Sequence, residues 1–224
     1  MKKWMILGAI LHLSFTSGLW AQVFQNLDFE SANVSNLPAG QFEFVSVADG
    51  LPGWSAYTGT NQLTQVGHNL ITIGGADVGI WGPDYGFGFP PLQGAYTAIL
   101  QPGPFIGQGP SASIAQTGVI PASAKSMRFL ASLAYTNDLI VTIGGQVAPV
   151  IPLGSGSFGC DVSAVTGSVQ EIEFTIAGTH GNDLNFLDAI SFSTEPVPEP
   201  SGLSLLLIGI VGLGILRLTS RKAK

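Results

Sequence analysis

Hydrophobic and polar residues alternate along several short segments of the chain, which is the pattern of β-strands with one buried face. Residues 169–176 are the clearest case. There Ile172, Phe174 and Ile176 fall on one side of the predicted strand, with acidic and hydroxyl side chains on the other. Similar segments predict further strands at 41–47, 113–117, 126–135, 139–143 and 185–192. Between the two chain ends no stretch shows a sustained helical period.

Glycines separate these predicted strands. Gly144-Gly145 lies between residues 139–143 and 146–151, and this spacing predicts a β-hairpin. In the first predicted strand, Phe42 and Phe44 share one face. Many short strands between turn signals predict an all-β fold, a β-sandwich or a barrel. Residues 22–195 are long enough for one domain with a core of its own.

The N-terminus has the three parts of a secretory signal peptide. Lys2 and Lys3 precede an apolar run over residues 4–13, and small residues follow that run. We predict a signal peptide at 1–21. Cleavage after Ala21 puts the bulky Leu19 two residues before that position, and cleavage after Gly18, with Thr16 before it, is the alternative. Residues 22–195, called the exported domain below, are therefore expected outside the cytoplasm.

The C-terminus predicts a single transmembrane helix at about residues 202–218. This apolar run is followed by Arg217, Arg221 and Lys222, which the positive-inside rule places in the cytoplasm. At about 1.5 Å per residue the helix is about 25 Å long. That is shorter than a hydrocarbon core of about 30 Å, so local thinning of the bilayer is expected.

The order of features in this tail resembles the PEP-CTERM sorting signal. The tripeptide Pro198-Glu199-Pro200 follows Val197, and the apolar helix and Arg217 come after it. The resemblance covers residues 196–224. It implies recognition by an exosortase, with cleavage near the tripeptide. The expected route is an inner-membrane anchored precursor whose mature form is at the cell surface or extracellular.

Charge is distributed unevenly along the chain. All 14 acidic residues lie between Asp28 and Glu199, where Lys125 and Arg128 are the only basic residues, so this stretch has a net charge of −12. Such a charge excludes nucleic acid as a partner and disfavours anionic lipid. It is compatible with cations such as Ca²⁺.

Cysteine and histidine give no sign of catalytic or metal chemistry. Cys160 is the single cysteine, so an intrachain disulfide is impossible, and a small semi-buried strand residue is expected there. His68 and His180 have no metal-ligand spacing and are predicted to be solvated loop residues. The glycine-rich segment 154–159 matches a dinucleotide fingerprint in its letters, but no βαβ unit surrounds it.

The two ends of the exported domain resemble the galactose-binding-like jelly roll of several carbohydrate-binding modules. The resemblance is carried by residues 25–30 (Gln-Asn-Leu-Asp-Phe-Glu) and 186–193 (Phe-Leu-Asp-Ala-Ile-Ser-Phe-Ser). It implies a jelly-roll β-sandwich in which the opening and closing strands lie together around a structural Ca²⁺. The implied ligands are the side chains of Glu30 and Asp188 and the carbonyl of Asp28. Ala189 stands where a second acid is common, which implies weak binding.

Four aromatic residues in glycine- and proline-rich segments are candidates for sugar binding: Trp54, Tyr57, Trp81 and Tyr85. Sugars are held by stacking their apolar faces on aromatic rings, with polar groups fixing the hydroxyls. Trp54 follows Pro-Gly and is expected in the core. Trp81 and Tyr85 are predicted to form an exposed platform.

These observations predict an exported, non-catalytic cell-surface or matrix protein that binds carbohydrate or exopolysaccharide. The alternatives are a structural or adhesive envelope protein without a specific ligand, and a glycan-active hydrolase. Paired carboxylates of a glycosidase can be far apart in a sequence, so the residue pattern leaves the hydrolase open. We expect no enzymatic activity, no certain cofactor and no nucleic acid.

Overall fold

The structure is a computed structural model that describes residues 22–83, 89–103 and 109–198. The predicted signal peptide and the predicted helix at 202–218 lie outside these ranges, as do Tyr85, Glu199, Pro200 and Arg217. Within the described ranges no helix is long and apolar enough to cross a membrane.

The described residues form strands with very little helix. The strands are β1 (Glu43–Ser46), β2 (Ser55–Thr58), β3 (Asn61–Gln62), β4 (Gln65–His68), β5 (Asp77–Trp81), β6 (Thr97–Gln101), β7 (Ala112–Val119), β8 (Ser126–Ser132), β9 (Leu139–Ile143), β10 (Gln146–Ala148), β11 (Ile151–Gly154), β12 (Ser157–Asp161), β13 (Val169–Ile176) and β14 (Asn185–Ser193). The helical elements are one turn, α1 (Val47–Gly50), and 3₁₀ turns at Thr136–Asp138 and Ser163–Val165.

Two sheets are formed by these strands. The eight-stranded sheet has the order β1-β4-β5-β6-β14-β8-β12-β11, and the six-stranded sheet has the order β10-β9-β13-β7-β2-β3. Neighbouring strands are antiparallel except β4 and β5, which are parallel. The predicted all-β sandwich is confirmed at this level.

Period-two alternation is clear on β13 and β9 of the six-stranded sheet. On β13, Ile172, Phe174 and Ile176 are buried, while Glu171 is exposed. The predicted hairpin is also confirmed, since β9 and β10 pair with Ile143 opposite Gln146. Gly144 and Gly145 both have positive φ, 58° and 74°, which a two-residue type I′ turn requires.

The core lies between the sheets and is rich in aromatic rings. Trp54 is buried as expected, and its Nε1 donates to the carbonyl of Asn26 at 3.0 Å. Phe174 packs edge-on against Trp54 and Phe129, at 6.4 and 5.1 Å between ring centroids. Cys160 lies on β12 as predicted, but it is fully rather than partly buried, and burial raises the pKa of its thiol to about 12.

Two aromatic residues of the first predicted strand lie at the surface rather than in the core. Phe42 and Phe44 share a face, but it is exposed to solvent, and their rings meet edge to face at 6.5 Å. The reason is that β1 is the edge strand of the eight-stranded sheet. A smaller cluster of Trp81, Ile99 and Phe186 is buried separately from the main core.

Candidate functional site

The opening and closing segments of residues 22–195 lie side by side. Ile190 donates its N–H to the carbonyl of Leu27 at 2.9 Å, which ties the first segment to β14. The register of β14 against β8 shifts between Asp188 and Ser191. Ala189, at the shift, has φ +49°. This bulge interrupts the ladder next to Asp188, where β14 is a central strand of the sheet.

Glu30 binds a turn that arrives from a third part of the chain. Its carboxylate accepts N–H groups from Ala95, at 2.9 and 3.1 Å, and from Tyr96, at 3.0 Å. Gly94 has φ +62°, and a β-carbon there would collide with the Glu30 carboxylate. Only glycine allows this close approach together with this backbone conformation.

Asp188 is fully buried beside the same turn. Its Oδ2 accepts the N–H of Gln93 at 2.9 Å, and its Oδ1 accepts the N–H of Ala189 at 2.7 Å. Burial raises the pKa of Asp188 to about 6, and repulsion from Glu30 adds to this increase. Asp188, Glu30 and the turn at 93–96 are called the strand junction below.

The strand junction provides some, but not all, of the oxygen ligands that a hard cation requires. Its two carboxylates repel each other, and carboxylate oxygens are the donors that Ca²⁺ prefers. The side chain of Asp28 is exposed and accepts the N–H of Glu30 at 3.4 Å, so of Asp28 only the carbonyl is a candidate ligand. No group of three or more His, Cys, Asp or Glu side chains with metal-ligand geometry occurs in the described ranges. Ca²⁺ takes six to eight oxygens, so most would have to be backbone carbonyls.

Trp81 does not form the exposed sugar-binding surface that the sequence predicts. This side chain is fully buried, its Nε1 donates to the carbonyl of Phe89 at 2.7 Å, and its ring packs edge-on to Phe186. Trp81 lies on β5, well inside the eight-stranded sheet. The expectation of an exposed Trp81 is therefore corrected. Tyr57, on β2, is half-buried.

His68 differs from the predicted solvated loop residue, whereas His180 is exposed in a loop, as predicted. His68 is buried, and its Nδ1 lies 3.0 Å from Oε1 of Glu43. Hydrogen bonds from Ser35 and then from His68 lower the pKa of Glu43. His180 is partly exposed but is held by Asp138, with Nδ1 to Oδ2 at 2.8 Å.

The pairing of His180 with Asp138 is not visible from spacing alone, because 42 residues separate them. The sequence does contain one usable signal. Asp138 immediately precedes β9, and His180 follows β13 by a few residues. Once these strands are paired, with Ile176 opposite Leu139, the polar residues beyond their ends come to the same end of the sheet.

Asp77 is a second buried acid on the eight-stranded sheet. It is 8% exposed, and burial raises the pKa of its carboxyl to about 6. Among the described residues, Asp77 Oδ2 and Asn69 Nδ2 are buried without a hydrogen-bond partner. Such groups weaken a fold, because their lost hydration is not replaced.

No family model and no curated protein matches the chain. Among solved structures it is similar to an apo cyclase from Fischerella sp., at 13% identity and TM-score 0.48, over 80% of this chain and 98% of that one. It is also similar to a Stig cyclase from Fischerella sp. TAU in complex with a pyrrolidinylidene-indole. The identity is 14% and the TM-score 0.46, over 80% of this chain and 98% of that one. The enzymatically active domain of tailspike protein 4 from bacteriophage CBA120 is similar at 19% identity and TM-score 0.39, over 73% of this chain and 21% of that one.

This comparison contradicts the prediction that the chain is not an enzyme, since the two similar cyclases are enzymes. That prediction is not retained. At 13 to 19% identity and TM-scores below 0.5, no activity, substrate or residue role is carried over to this chain.

We predict that Asp77→Asn stabilises the protein at about pH 7.5 and has little effect at about pH 4. The folded protein binds this proton more tightly than the unfolded chain, so wild-type stability falls as pH rises from about 4 through about 6. The amide removes this titration. At about 1.4 kcal/mol per pH unit, a pKa moved from 3.8 to about 6 corresponds to at most about 3 kcal/mol.

Urea unfolding of the full chain in mild detergent at the two pH values measures this difference. Asp161→Asn is the matched control, because hydrogen bonds from Ser163 lower the pKa of Asp161. Its effect at about pH 7.5 should have the opposite sign. An Asp77→Asn gain of equal size at both pH values would show that Asp77 does not titrate in this range.

Proposed function

We propose that this chain is an exported protein, sorted to the cell surface through its C-terminal segment, whose β-sandwich is a galactose-binding-like jelly roll that binds carbohydrate. The observation that carries the proposal is the strand junction. The resemblance of residues 25–30 and 186–193 to carbohydrate-binding modules implies that these segments meet, and Ile190 N–H does bind the carbonyl of Leu27. The proposed partners are an exosortase and exopolysaccharide.

Calcium at the strand junction belongs to this proposal. Glu30, Asp188 and the carbonyl of Asp28 would hold the ion, which would supply positive charge between two repelling carboxylates. The burial of Asp188 beside Glu30 supports this assignment, because the two carboxylates repel each other and a bound cation would offset that repulsion. With few acidic ligands, binding in the range of extracellular modules, about 1 mM, is expected.

We predict that about 10 mM Ca²⁺ raises the melting temperature of the full chain relative to chelator. At tenfold excess over Kd, an ion that binds only the folded state adds about 1.4 kcal/mol. For a domain of this size that is about 3–6 °C. The shift should vanish in Glu30→Gln and in Asp188→Asn.

Glu173→Gln is the matched control, since Glu173 lies on β13 in the other sheet and its variant should keep the full shift. Scanning calorimetry in mild detergent provides the melting temperatures. If wild-type protein melts at the same temperature in both buffers, the carboxylates act only as acceptors for the turn at 93–96.

The start of the tail supports the sorting proposal. Val197 packs against β12, because its Cγ1 lies where a side chain at Gly159 would begin. The carbonyl of Glu195 accepts the hydroxyl of Ser126 at 2.7 Å. Pro198 is exposed directly after these contacts. The tripeptide therefore begins where the folded domain ends, which is a position that a processing enzyme can reach.

Replacing Pro198, Glu199 and Pro200 together by alanine should keep the full-length protein in the inner membrane. The reason is that the proposed recognition sequence is lost while the hydrophobic run stays intact. Cell fractionation followed by immunoblotting measures the size and location of the protein. Mature-size protein outside the cell at normal yield would rule out sorting through this motif.

The carbohydrate proposal predicts that the full chain in mild detergent binds glycans on an array with micromolar to millimolar affinity. Binding should follow sugar identity rather than charge, since the stretch from Asp28 to Glu199 carries −12. A heat-denatured sample is the control for nonspecific adhesion. Absence of binding to every glycan would support the structural or adhesive alternative instead.

A further inference from the structure

We propose that Tyr135, His180 and Asp138 form the sugar-binding surface of this domain, and that its ligand is an uncharged sugar ring. This inference rests on the proposed carbohydrate function and assigns its residues and ligand class. The three residues are called the aromatic platform below. They differ from the four aromatic candidates that the sequence suggests.

The aromatic platform is built at one end of the six-stranded sheet. Asp138 directly precedes β9 and His180 follows β13, and these strands are paired with Leu139 opposite Ile176. One more backbone hydrogen bond continues this pairing, from Ala177 N–H to the carbonyl of Asp138 at 2.9 Å. The backbone on both sides of the platform is therefore held by the sheet itself.

Asp138 fixes the orientation of the imidazole. It is only 4% exposed, and both its oxygens lie within hydrogen-bond distance of His180 Nδ1, at 2.9 and 2.8 Å. The hydroxyl of Thr179 also donates to Asp138. A carboxylate that accepts from Nδ1–H leaves Nε2 as the acceptor nitrogen of the neutral ring. The His180 side chain is 42% exposed, so part of the ring is open to solvent and to a ligand.

Tyr135 lies flat on this fixed imidazole. The two ring centroids are 4.1 Å apart and the planes differ by 16°, yet Tyr135 remains 47% exposed. Its ring is therefore held in place before any ligand arrives, which lowers the entropy cost of binding. The exposed pair Phe42 and Phe44 differs, because its rings meet edge to face at 86°.

A flat, fixed phenol ring beside a hydrogen-bond acceptor matches the chemistry of a sugar. The apolar face of the sugar ring stacks on the aromatic ring, and a hydroxyl donates to the acceptor. Exposed single aromatic residues are common on protein surfaces. The distinguishing observation here is the buried carboxylate that orients the ring on which Tyr135 stacks.

Charge selects the class of sugar. Between residues 22 and 198, Lys125 and Arg128 are the only basic residues. Arg128 pairs with Glu195 at 3.2 Å, and Lys125 lies next to Ser193 through its backbone N–H. Neither residue belongs to the platform, which instead contains the carboxylate of Asp138. A sugar carboxylate or sulfate would find repulsion there, so neutral hexose or N-acetylhexosamine rings are expected.

The test uses the full chain in mild detergent, with arrays of neutral oligosaccharides and matched uronate-containing oligosaccharides. Wild-type protein should bind neutral glycans, and Tyr135→Ala should weaken this binding at least tenfold. Tyr135→Phe keeps the stacked ring and should stay within about threefold of wild type. Phe44→Ala removes an exposed ring elsewhere and should bind like wild type.

Asp138 is a positioning residue and needs its own readout. Asp138→Asn should weaken glycan binding about three- to tenfold and change the imidazole ¹⁵N shifts of His180 away from the Nδ1–H tautomer. Melting temperatures of all variants show whether each is folded. A folded Asp138→Asn variant with unchanged affinity and unchanged ¹⁵N shifts would overturn the role given to this carboxylate.

The remaining outcomes separate this inference from the function on which it rests. If wild-type protein binds neutral glycans and Tyr135→Ala binds them equally well, the platform is overturned and the carbohydrate function stands. If wild-type protein binds uronate-containing glycans alone, the ligand class is overturned. If it binds no glycan, both proposals are overturned.

Discussion

A buried carboxylate in the centre of the eight-stranded sheet sets the main constraint on this fold. Asp188 must receive N–H donors where β14 lies between β6 and β8, and it receives them from Gln93 and Ala189. The bulge after Asp188 and the turn at 93–96 follow from that need. Glu30 binds the other N–H groups of the same turn, and the first segment is thereby fixed to the last strand. Three distant parts of the chain thus meet around two acids.

Local patterning predicts the strands well and the contacts between them poorly. Alternation identified β13, and Gly144-Gly145 identified the β9–β10 hairpin, because both signals lie within a few residues. The burial of Trp81 depends on its position in the eight-stranded sheet and on its contact with Phe186 of β14, and both come from long-range strand pairing. The proximity of residues 25–30 to residues 186–193 was expected only from the family resemblance. The contact between Asp138 and His180 can be predicted only once the register of β9 against β13 is known.

The acids of this domain have two different roles. Of the twelve acids in the described ranges, five are exposed and contribute surface charge that disfavours polyanions. Asp77 and Asp188 are buried, and burial raises the pKa of each to about 6. Both therefore weaken the fold progressively as the pH rises through that value. They differ in partners, since both oxygens of Asp188 accept backbone N–H groups, whereas Oδ2 of Asp77 has no partner among the described residues.

In the proposed function, the anchored tail and the ligand-binding residues belong to different sheets. The chain leaves the domain beside the eight-stranded sheet, where Val197 packs against Gly159 of β12 and Arg128 of β8 pairs with Glu195. Tyr135 and His180 lie at the end of the other sheet, beyond β9 and β13. In a sandwich the outer faces of two sheets point in opposite directions. A protein anchored at residue 198 would therefore keep the end of its six-stranded sheet accessible to a ligand, and processing of the tail would leave that surface unchanged.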